Sequence, residues 1–447
     1  MELALIIGSI ASGGSESSTV RQVQLMVILL SVTLVVSLVS RRLRLPYTLV
    51  LVMAGLAIGL TPLVQGPQLD PNLVLFLFLP ALLFEGAWNA EIGKLAADWL
   101  PIFLLAVPGL LIALAFLAVV LHLAVGLSWL VAILVGAIVS PTDPIAALAL
   151  LRQLGLSERL RAVVDGESLF NDGVGVAVFE VTLQLLLPSL GLATLTGAFK
   201  GVSLLNLDVE ILWLLLGGPI IGTLFGWLVA RLLRLADDHL FEITVTFSAA
   251  YGGYLLGDAL HTSGLLTVVC AGLVIGSYGR SRSMSQRTQE AATDVWEFIG
   301  YLANSLLFLL LGIQIGNANL LRSLPGIFWA FLGVIVGRAL IIYTLLPLHD
   351  LLARRLARRP ARRTTHSLPQ PRPLPSSWRP LLILIGLRGA LSIALVLSLP
   401  TNFAQRGHLE SIVYGVVLIT LLGQGLGLRF LLPHWSSVRE ETPTPQT

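Results

Sequence analysis

Apolar and polar positions along this chain alternate on a long scale: apolar runs, most of them 15 to 28 residues, are separated by short polar breaks. The hydrocarbon core of a bilayer is about 30 Å thick and takes about 20 apolar helical residues to cross. Thirteen runs meet or approach that length: 22–40, 46–60, 71–87, 99–123, 127–151, 162–189, 208–234, 240–258, 262–278, 294–316, 325–352, 379–399 and 409–432. Two are short and several are long, so the pattern predicts tilted or broken helices among them. The predicted fold class is an all-α polytopic membrane protein with about 13 transmembrane helices, occupying 22–432. Three pieces do not span. Residues 1–21, Gly/Ser-rich at 11–18, read as an external N-terminal leader. Residues 353–380 read as a basic, Pro-rich cytoplasmic loop, a flexible linker that is solvated or touches anionic lipid. Residues 433–447 read as a short cytoplasmic tail, with no regulatory domain after the membrane part.

Charge orients this pattern. Arg41, Arg42, Arg44, Lys94, Arg152, Arg159, Arg161, Arg231, Arg234, Arg280, Arg282, Arg287 and the Arg-rich 353–380 loop fall on one side. Only Arg21, Lys200, Arg322 and Arg406 fall on the other. Positive residues stay inside, which puts the N-terminus outside and the C-terminus in the cytoplasm. Composition agrees: 55% of residues are hydrophobic and 12% charged, with mean hydropathy +0.87, where a soluble domain is about one quarter charged. The net charge of +3 and pI near 9.2 do not signal nucleic acid, because the arginines sit in short loops between apolar runs. The start of the chain has an acid, Glu2, and no basic region, and makes a poor signal peptide. One cysteine, Cys270, lies in an apolar run, so there is neither a disulfide framework nor a thiolate metal site. No cofactor is expected.

Against this apolar background, 140–172 stands out: Ser-Pro-Thr-Asp-Pro at 140–144, then Gly-Glu-Ser-Leu-Phe-Asn-Asp at 166–172. An aspartate at mid-bilayer costs about 2.5–3.5 kcal/mol to insert, so Asp143, Glu167 and Asp172 together stand very roughly 8–10 kcal/mol against insertion. Such groups persist when they face a protein interior or a wet cavity, and they mark ion and proton paths. Pro141 and Pro144 should unwind their span, freeing carbonyls and the Thr142 hydroxyl as hard oxygen ligands. A simple proline kink with Asp143 capping a half-helix is the plainer alternative, compatible with the first. Glu167 and Asn171 stand at i and i+4, as do Ser168 and Asp172, so each pair shares a helix face. A buried polar network without an ion would use the same residues. Glu85 lies near a span end, where a surface carboxylate is the plainer reading. Arg388, buried in a run, needs an anionic partner, and Glu167 is the expected one. Arg338 is assigned no role. Glu242, Asp258 and His261 are expected at wet span ends, Glu180 and Glu297 along a vestibule, and Asn304 and Gln314 in bonds between helices. The Gly-Leu-Arg-Gly break in 379–399 faintly echoes the break in 127–151, as interrupted helices do in the two halves of a transporter.

Five stretches carry a resemblance: Leu-Leu-Phe-Glu-Gly (82–86), Ser-Pro-Thr-Asp-Pro (140–144), Gly-Glu-Ser-Leu-Phe-Asn-Asp-Gly (166–173), Asn-Ser-Leu-Leu-Phe-Leu-Leu-Leu-Gly (304–312) and Leu-Arg-Gly-Ala-Leu-Ser-Ile-Ala-Leu (387–395). In them the chain resembles the sodium/proton exchanger branch of the monovalent cation:proton antiporters, in its prokaryotic form. The resemblance implies two inverted six-helix repeats, crossing unwound helices, and a homodimer with core and interface domains. By position it implies Asp172 as the proton and cation carrier, with Ser168, Glu85 and the Thr142 backbone as further Na⁺ ligands. Glu167, Asn171 and Arg388 match the polar network beside that site, and Asp143 joins them as a supporting residue. The Asn171–Asp172 pair implies electroneutral exchange of one cation for one proton. Gly86 departs from the family, which more often has Ala there.

The expected function is secondary active antiport of Na⁺ for H⁺ by alternating access, with both ions competing at Asp172. K⁺ or Li⁺ as the cation is the nearest alternative. A cation channel is a rival from another class, since buried acids also line pores. An intramembrane hydrolase is disfavoured: no nucleophile and base are paired in adjacent runs, and His122 and His349 are isolated near span ends. The expected partners are the two ions, the bilayer and a second copy of the chain, in a prokaryotic inner membrane.

Overall fold

The computed structural model describes residues 18–43, 47–61, 74–143, 157–189, 207–235, 238–318, 320–357, 373–400, 402–403 and 405–424. Among them no residue is in a strand. The described residues begin with α1 (Ser18–Leu43) and α2 (Tyr47–Gly59). A π-turn at Val74–Phe78 leads into α3 (Leu79–Asn89), followed by the short α4 (Ile92–Ala97). Next, α5 (Trp99–Leu104) passes through a second π-turn, Leu105–Gly109, into α6 (Leu110–Val125). Pro108 lies inside that turn; it has no N–H to donate, and the wider turn absorbs the missing bond. Then come α7 (Trp129–Val139), α8 (Glu158–Ser189), α9 (Leu207–Leu232), α10 (His239–Ala259) and α11 (Gly264–Val274). The rest is α12 (Arg280–Ser283), α13 (Gln286–Asn317), α14 (Leu324–Ala357), α15 (Trp378–Ile385), α16 (Ala390–Leu397) and α17 (Arg406–Ile419).

Every one of the thirteen apolar runs contains helix. In lipid no water is available to the backbone, so a spanning segment satisfies its own hydrogen bonds. Among the described residues, six helical stretches are long and apolar enough by themselves to cross a membrane: Trp99–Val125, Glu158–Leu186, Gln286–Gly316, Leu320–Arg355, Trp378–Leu397 and Arg406–Gly423. The leader before Ser18, the run 144–156 including Pro144, the centre of the basic loop at 358–372, and the 433–447 tail lie outside the described residues.

Helices within lipid gain little from the hydrophobic effect and associate through small residues that let backbones meet. Gly55 and Gly59 of α2 face Gly312 and Gly316 of α13; a Cβ on Gly316 would lie 2.6 Å from the Gly59 carbonyl carbon. Tyr47 closes the other end of this pair, bonding the Ser305 hydroxyl at 2.9 Å. Gly226 of α9 meets α11 in the same way, its Cβ position 2.8 Å from the Ala271 carbonyl oxygen. Gly276, in the π-turn Ile275–Gly279 that follows α11, lies against the backbone of Trp88 on α3. Trp88 Nε1 also donates to Thr293 Oγ1 at 3.2 Å, which holds α3 beside α13.

The end of the basic loop is docked, where composition suggested a free linker. The Leu374 N–H donates to Asp350 Oδ1 at 3.0 Å and Arg379 Nη2 to Asp350 Oδ2 at 3.0 Å. Arg159 at the start of α8 donates to the Pro373 carbonyl at 3.2 Å. Leu374 and Trp378 are apolar enough to be buried there, which a reading from Pro and Arg content overlooks. Glu242 also departs from expectation: it is 1% exposed, although it sits one turn inside a helix end. Its helix turns that face inward, where Thr246 one turn on accepts a bond from Trp296 Nε1 at 3.1 Å.

Candidate cation site at two broken helices

Two helix breaks meet in the core. Pro141 ends α7, and Gly386–Gly389 separates α15 from α16. Helix ends leave unpaired N–H groups at one terminus and carbonyls at the other, and here each break supplies the other's partners. The Asp143 N–H donates to the Leu387 carbonyl at 2.9 Å. The Asp143 carboxylate accepts from the Ala390 N–H at 3.2 Å, at the N-terminus of α16. The Arg388 guanidinium donates to the Ser140 carbonyl and, at 2.8 Å, to that of Pro141. An anion thus sits at a positive helix end and a cation at a negative one. Gly389 is required by this approach, because a Cβ would overlap the Asp143 side chain.

The remaining polar groups come from α8, whose i, i+4 spacing turns them to the α7 break. Asn171 Nδ2 donates to Thr142 Oγ1 at 2.8 Å, and the Thr142 and Ser168 hydroxyls are 3.4 Å apart. Gly175 lets the Pro141 ring pack onto the helix. Glu167 is 1% exposed and is held by both arms of Arg338 on α14, with Nη2 donating to Oε2 at 2.9 Å. The expectation that Arg388 would be its partner is therefore corrected. Arg388 is occupied by the carbonyls that Pro141 sets free, and Arg338, which also donates from Nε to the Leu382 carbonyl at 3.2 Å, takes the carboxylate.

Asp172 follows Asn171 on α8. Its Oδ1 is buried with no hydrogen-bond partner among the described residues, and so is Asn171 Oδ1. A buried carboxylate oxygen normally has a donor; Arg338 is spent on Glu167 and the Leu382 carbonyl, and Arg388 donates through Nη1 to Ser140 and Pro141 while its Nε has no partner among the described residues.

Asp172 lines a cavity of about 860 Å³ together with Ser168, Glu85, Asp143, Glu297 and Asn304. Its wall continues to Glu91, Lys94, Glu158, Arg161 and Arg280, and carboxylates outnumber cations along it. The structure thus brings Asp172, Ser168 and Glu85 to one space. Thr142 stands behind them, reached through Ser168 and Asn171. Glu297 lines the cavity and Glu180 does not. Glu85 accepts from Asn89 Nδ2 at 2.8 Å. At the cavity's edge, Lys94 bridges Glu91 at 2.9 Å and Glu158 at 3.1 Å, and these bonds hold its ammonium above the ordinary lysine pKa. Among the described residues no three His, Cys, Asp or Glu side chains cluster to hold a metal ion, so the oxygen set is one of scattered single carboxylates and hydroxyls.

Three residues here escaped the sequence reading. Arg338 carried the same signal as Arg388, a cation inside an apolar run. Asn89 stands four residues after Glu85, a spacing that predicts contact on a helix. Gly300, beneath Glu85 on α13, left no signal at all.

Comparison with known proteins agrees with this architecture. The family described as "Sodium/hydrogen exchanger, transmembrane" matches residues 27–434. The chain is 35% identical over 409 residues to the low-affinity Na⁺/H⁺ antiporter NhaS1 of Synechocystis sp., covering 91% of this chain and 73% of that one. It is 35% identical over 391 residues to the Na⁺/H⁺ antiporter ApNhaP of Aphanothece halophytica, covering 87% and 69%. Its fold matches the structure of the sodium proton antiporter MjNhaP1 from Methanocaldococcus jannaschii with a TM-score of 0.70 at 18% identity, over 94% of this chain and 98% of that one. With a polar centre built from two interlocked helix breaks, and with the family pattern matching residues 27–434, this chain belongs to the transmembrane sodium/hydrogen exchanger family.

Proposed function

We propose that the protein exchanges Na⁺ for H⁺, one for one, and that the two ions compete for Asp172. The observation that carries this reading is the uncommitted Asp172 Oδ1 on a cavity wall, while Arg338 is paired with Glu167 and Arg388 binds the carbonyls of Ser140 and Pro141. Ser168 and Glu85 supply further oxygens to the cation, and the unwound backbone at Thr142 completes the set. Oxygen ligands of this kind suit a hard monovalent ion. Asp143, Glu167, Asn171 and Arg388 hold the breaks and the helix in place around it.

The cycle follows from electrostatics. A carboxylate carrying either a proton or a monovalent cation is neutral and can cross an apolar barrier; the empty, charged form crosses slowly. Coupling arises because the two occupants exclude each other. The cavity runs from Asp172 toward Lys94, Arg161 and Arg280, the side that charge asymmetry assigns to the cytoplasm, so we read this conformation as inward-open. Rocking of the broken-helix unit would then present Asp172 to the outside, around a fixed site near the midplane. We further propose a homodimer in the prokaryotic inner membrane, with two inverted repeats, an outer N-terminus and a cytoplasmic C-terminus.

The test is fluorescence dequenching of a pH dye in proteoliposomes, titrated with Na⁺, Li⁺, K⁺ and Ca²⁺ at several pH values. Na⁺ should dissipate the proton gradient, and Asp172→Asn should abolish the response at equal protein incorporation. Exchange retained in that variant excludes the site. Ion flux without proton coupling would instead mark a channel.

A further inference from the structure

Glu85 ends its reach in a place made for it. Asn89, one turn further along α3, donates to Oε1 at 2.8 Å. On the neighbouring α13, a Cβ built on Gly300 would stand 3.0 Å from Glu85 Cγ and Cδ and 3.1 Å from Oε2. The carboxylate occupies the volume that a side chain at position 300 would fill.

Glycine is less favourable than alanine inside a helix, so its presence in the middle of the 32-residue α13 asks for a reason. Gly312 and Gly316 on the same helix have one: the atoms nearest their Cβ positions are backbone atoms of α2. At Gly300 the three nearest atoms all belong to the Glu85 side chain. The reason at that position is therefore the carboxylate and not helix packing. Thr293, Glu297, Gly300 and Asn304 all line the cavity, and their three- and four-residue spacing makes them one helix face. Gly300 is the gap in that polar face, and Glu85 fills it.

We infer that Gly300 and Asn89 are positioning residues that set where the Glu85 carboxylate stands, and through it the affinity and selectivity for the cation. The inference rests on the reading of Glu85 as a cation ligand. A methyl at position 300 must push the carboxylate by a few tenths of an ångström to reach ordinary van der Waals contact, a displacement comparable to the size steps among Li⁺, Na⁺ and K⁺. Losing the Asn89 bond frees the same group to rotate. Partners that orient a metal ligand without touching the metal typically matter about 10–100-fold in affinity.

The experiment is exchange kinetics of the full chain in proteoliposomes for Gly300→Ala, Asn89→Ala, Glu85→Gln, Glu85→Asp and the double variant Gly300→Ala/Glu85→Asp. Each single positioning variant should raise the apparent KM for Na⁺ by about tenfold, with maximal rate within about twofold, and should change the Li⁺/Na⁺ preference. Glu85→Asp withdraws the carboxylate by one methylene, so the double variant should be less impaired than the two single effects multiplied. Alanine favours helix more than glycine does, so Gly300→Ala is expected to fold, and Asn89→Ala gives an independent reading. If Glu85→Gln raises the KM while neither positioning variant does, the inference fails and the ligand reading stands. If Glu85→Gln leaves the KM unchanged, the ligand reading fails and the inference with it. A lower maximal rate at unchanged KM and unchanged Li⁺/Na⁺ preference marks a structural role and overturns the inference.

Discussion

Around Asp172 the buried charges divide into the committed and the available. Glu167 and Arg338 are committed to each other at 1% and 7% exposure. Removing one member of such a pair strands a charge in a dry interior, at about 3–5 kcal/mol, whereas removing both is far milder. Arg338→Leu should therefore lower thermal stability in detergent sharply, and Glu167→Gln/Arg338→Leu should recover most of it; equal losses in the two proteins would contradict the pairing. Helical spacing was enough to pair Ser168 with Asp172 and Glu167 with Asn171 on shared helix faces. It was not enough to choose between Arg338 and Arg388 as the partner of Glu167. That choice depends on the rotation of α14 and on which carbonyls Pro141 leaves open, and neither is written in one helix's periodicity.

The helices themselves were legible, because a chain in lipid has few ways to satisfy its backbone and shows them as apolar runs. Less legible were the local departures. The π-turn at Leu105–Gly109 follows from Pro108 only once the helix is known to continue on both sides. The docking of 373–379 depends on Asp350, at the end of another helix. The pairing of α2 with α13 was visible in hindsight as two small-residue repeats, Gly55/Gly59 and Gly312/Gly316. Gly316→Val should force these backbones apart, at about 1–3 kcal/mol of overpacking, read as a lower unfolding temperature. The bridge from Lys94 to Glu91 and Glu158 joins α4 to α8 across the cavity's edge. Because the folded pKa of Lys94 lies above its ordinary value of 10.5, its contribution is complete below that value and is lost only as pH rises through the higher one. Lys94→Gln is therefore expected to leave the shape of the transport pH profile near neutrality unchanged, as measured by dye dequenching.

For the molecule as a whole, competition is the property that distinguishes a one-site exchanger. Acidifying the cavity side should raise the apparent KM for Na⁺ while leaving the maximal rate untouched, because protons displace the cation without slowing the loaded form. A maximal rate that falls while the KM stays constant would dismiss the single shared carboxylate. The family's broad architecture could be anticipated from five short motifs in order. The open side of the cavity could not, since the same motifs serve every stage of the cycle.

The interlocked breaks have an electrical consequence. Asp143 and Arg388 neutralise the helix ends they cap and Glu167 and Arg338 neutralise each other; under the proposed one-for-one exchange, Asp172 is balanced by whichever ion it carries. These five side chains then carry no net charge for a transmembrane field to push. Turnover should be deaf to voltage, clamped by valinomycin and K⁺ at any value, and the exchanger would keep working on concentration differences alone in a cell whose membrane had been depolarised.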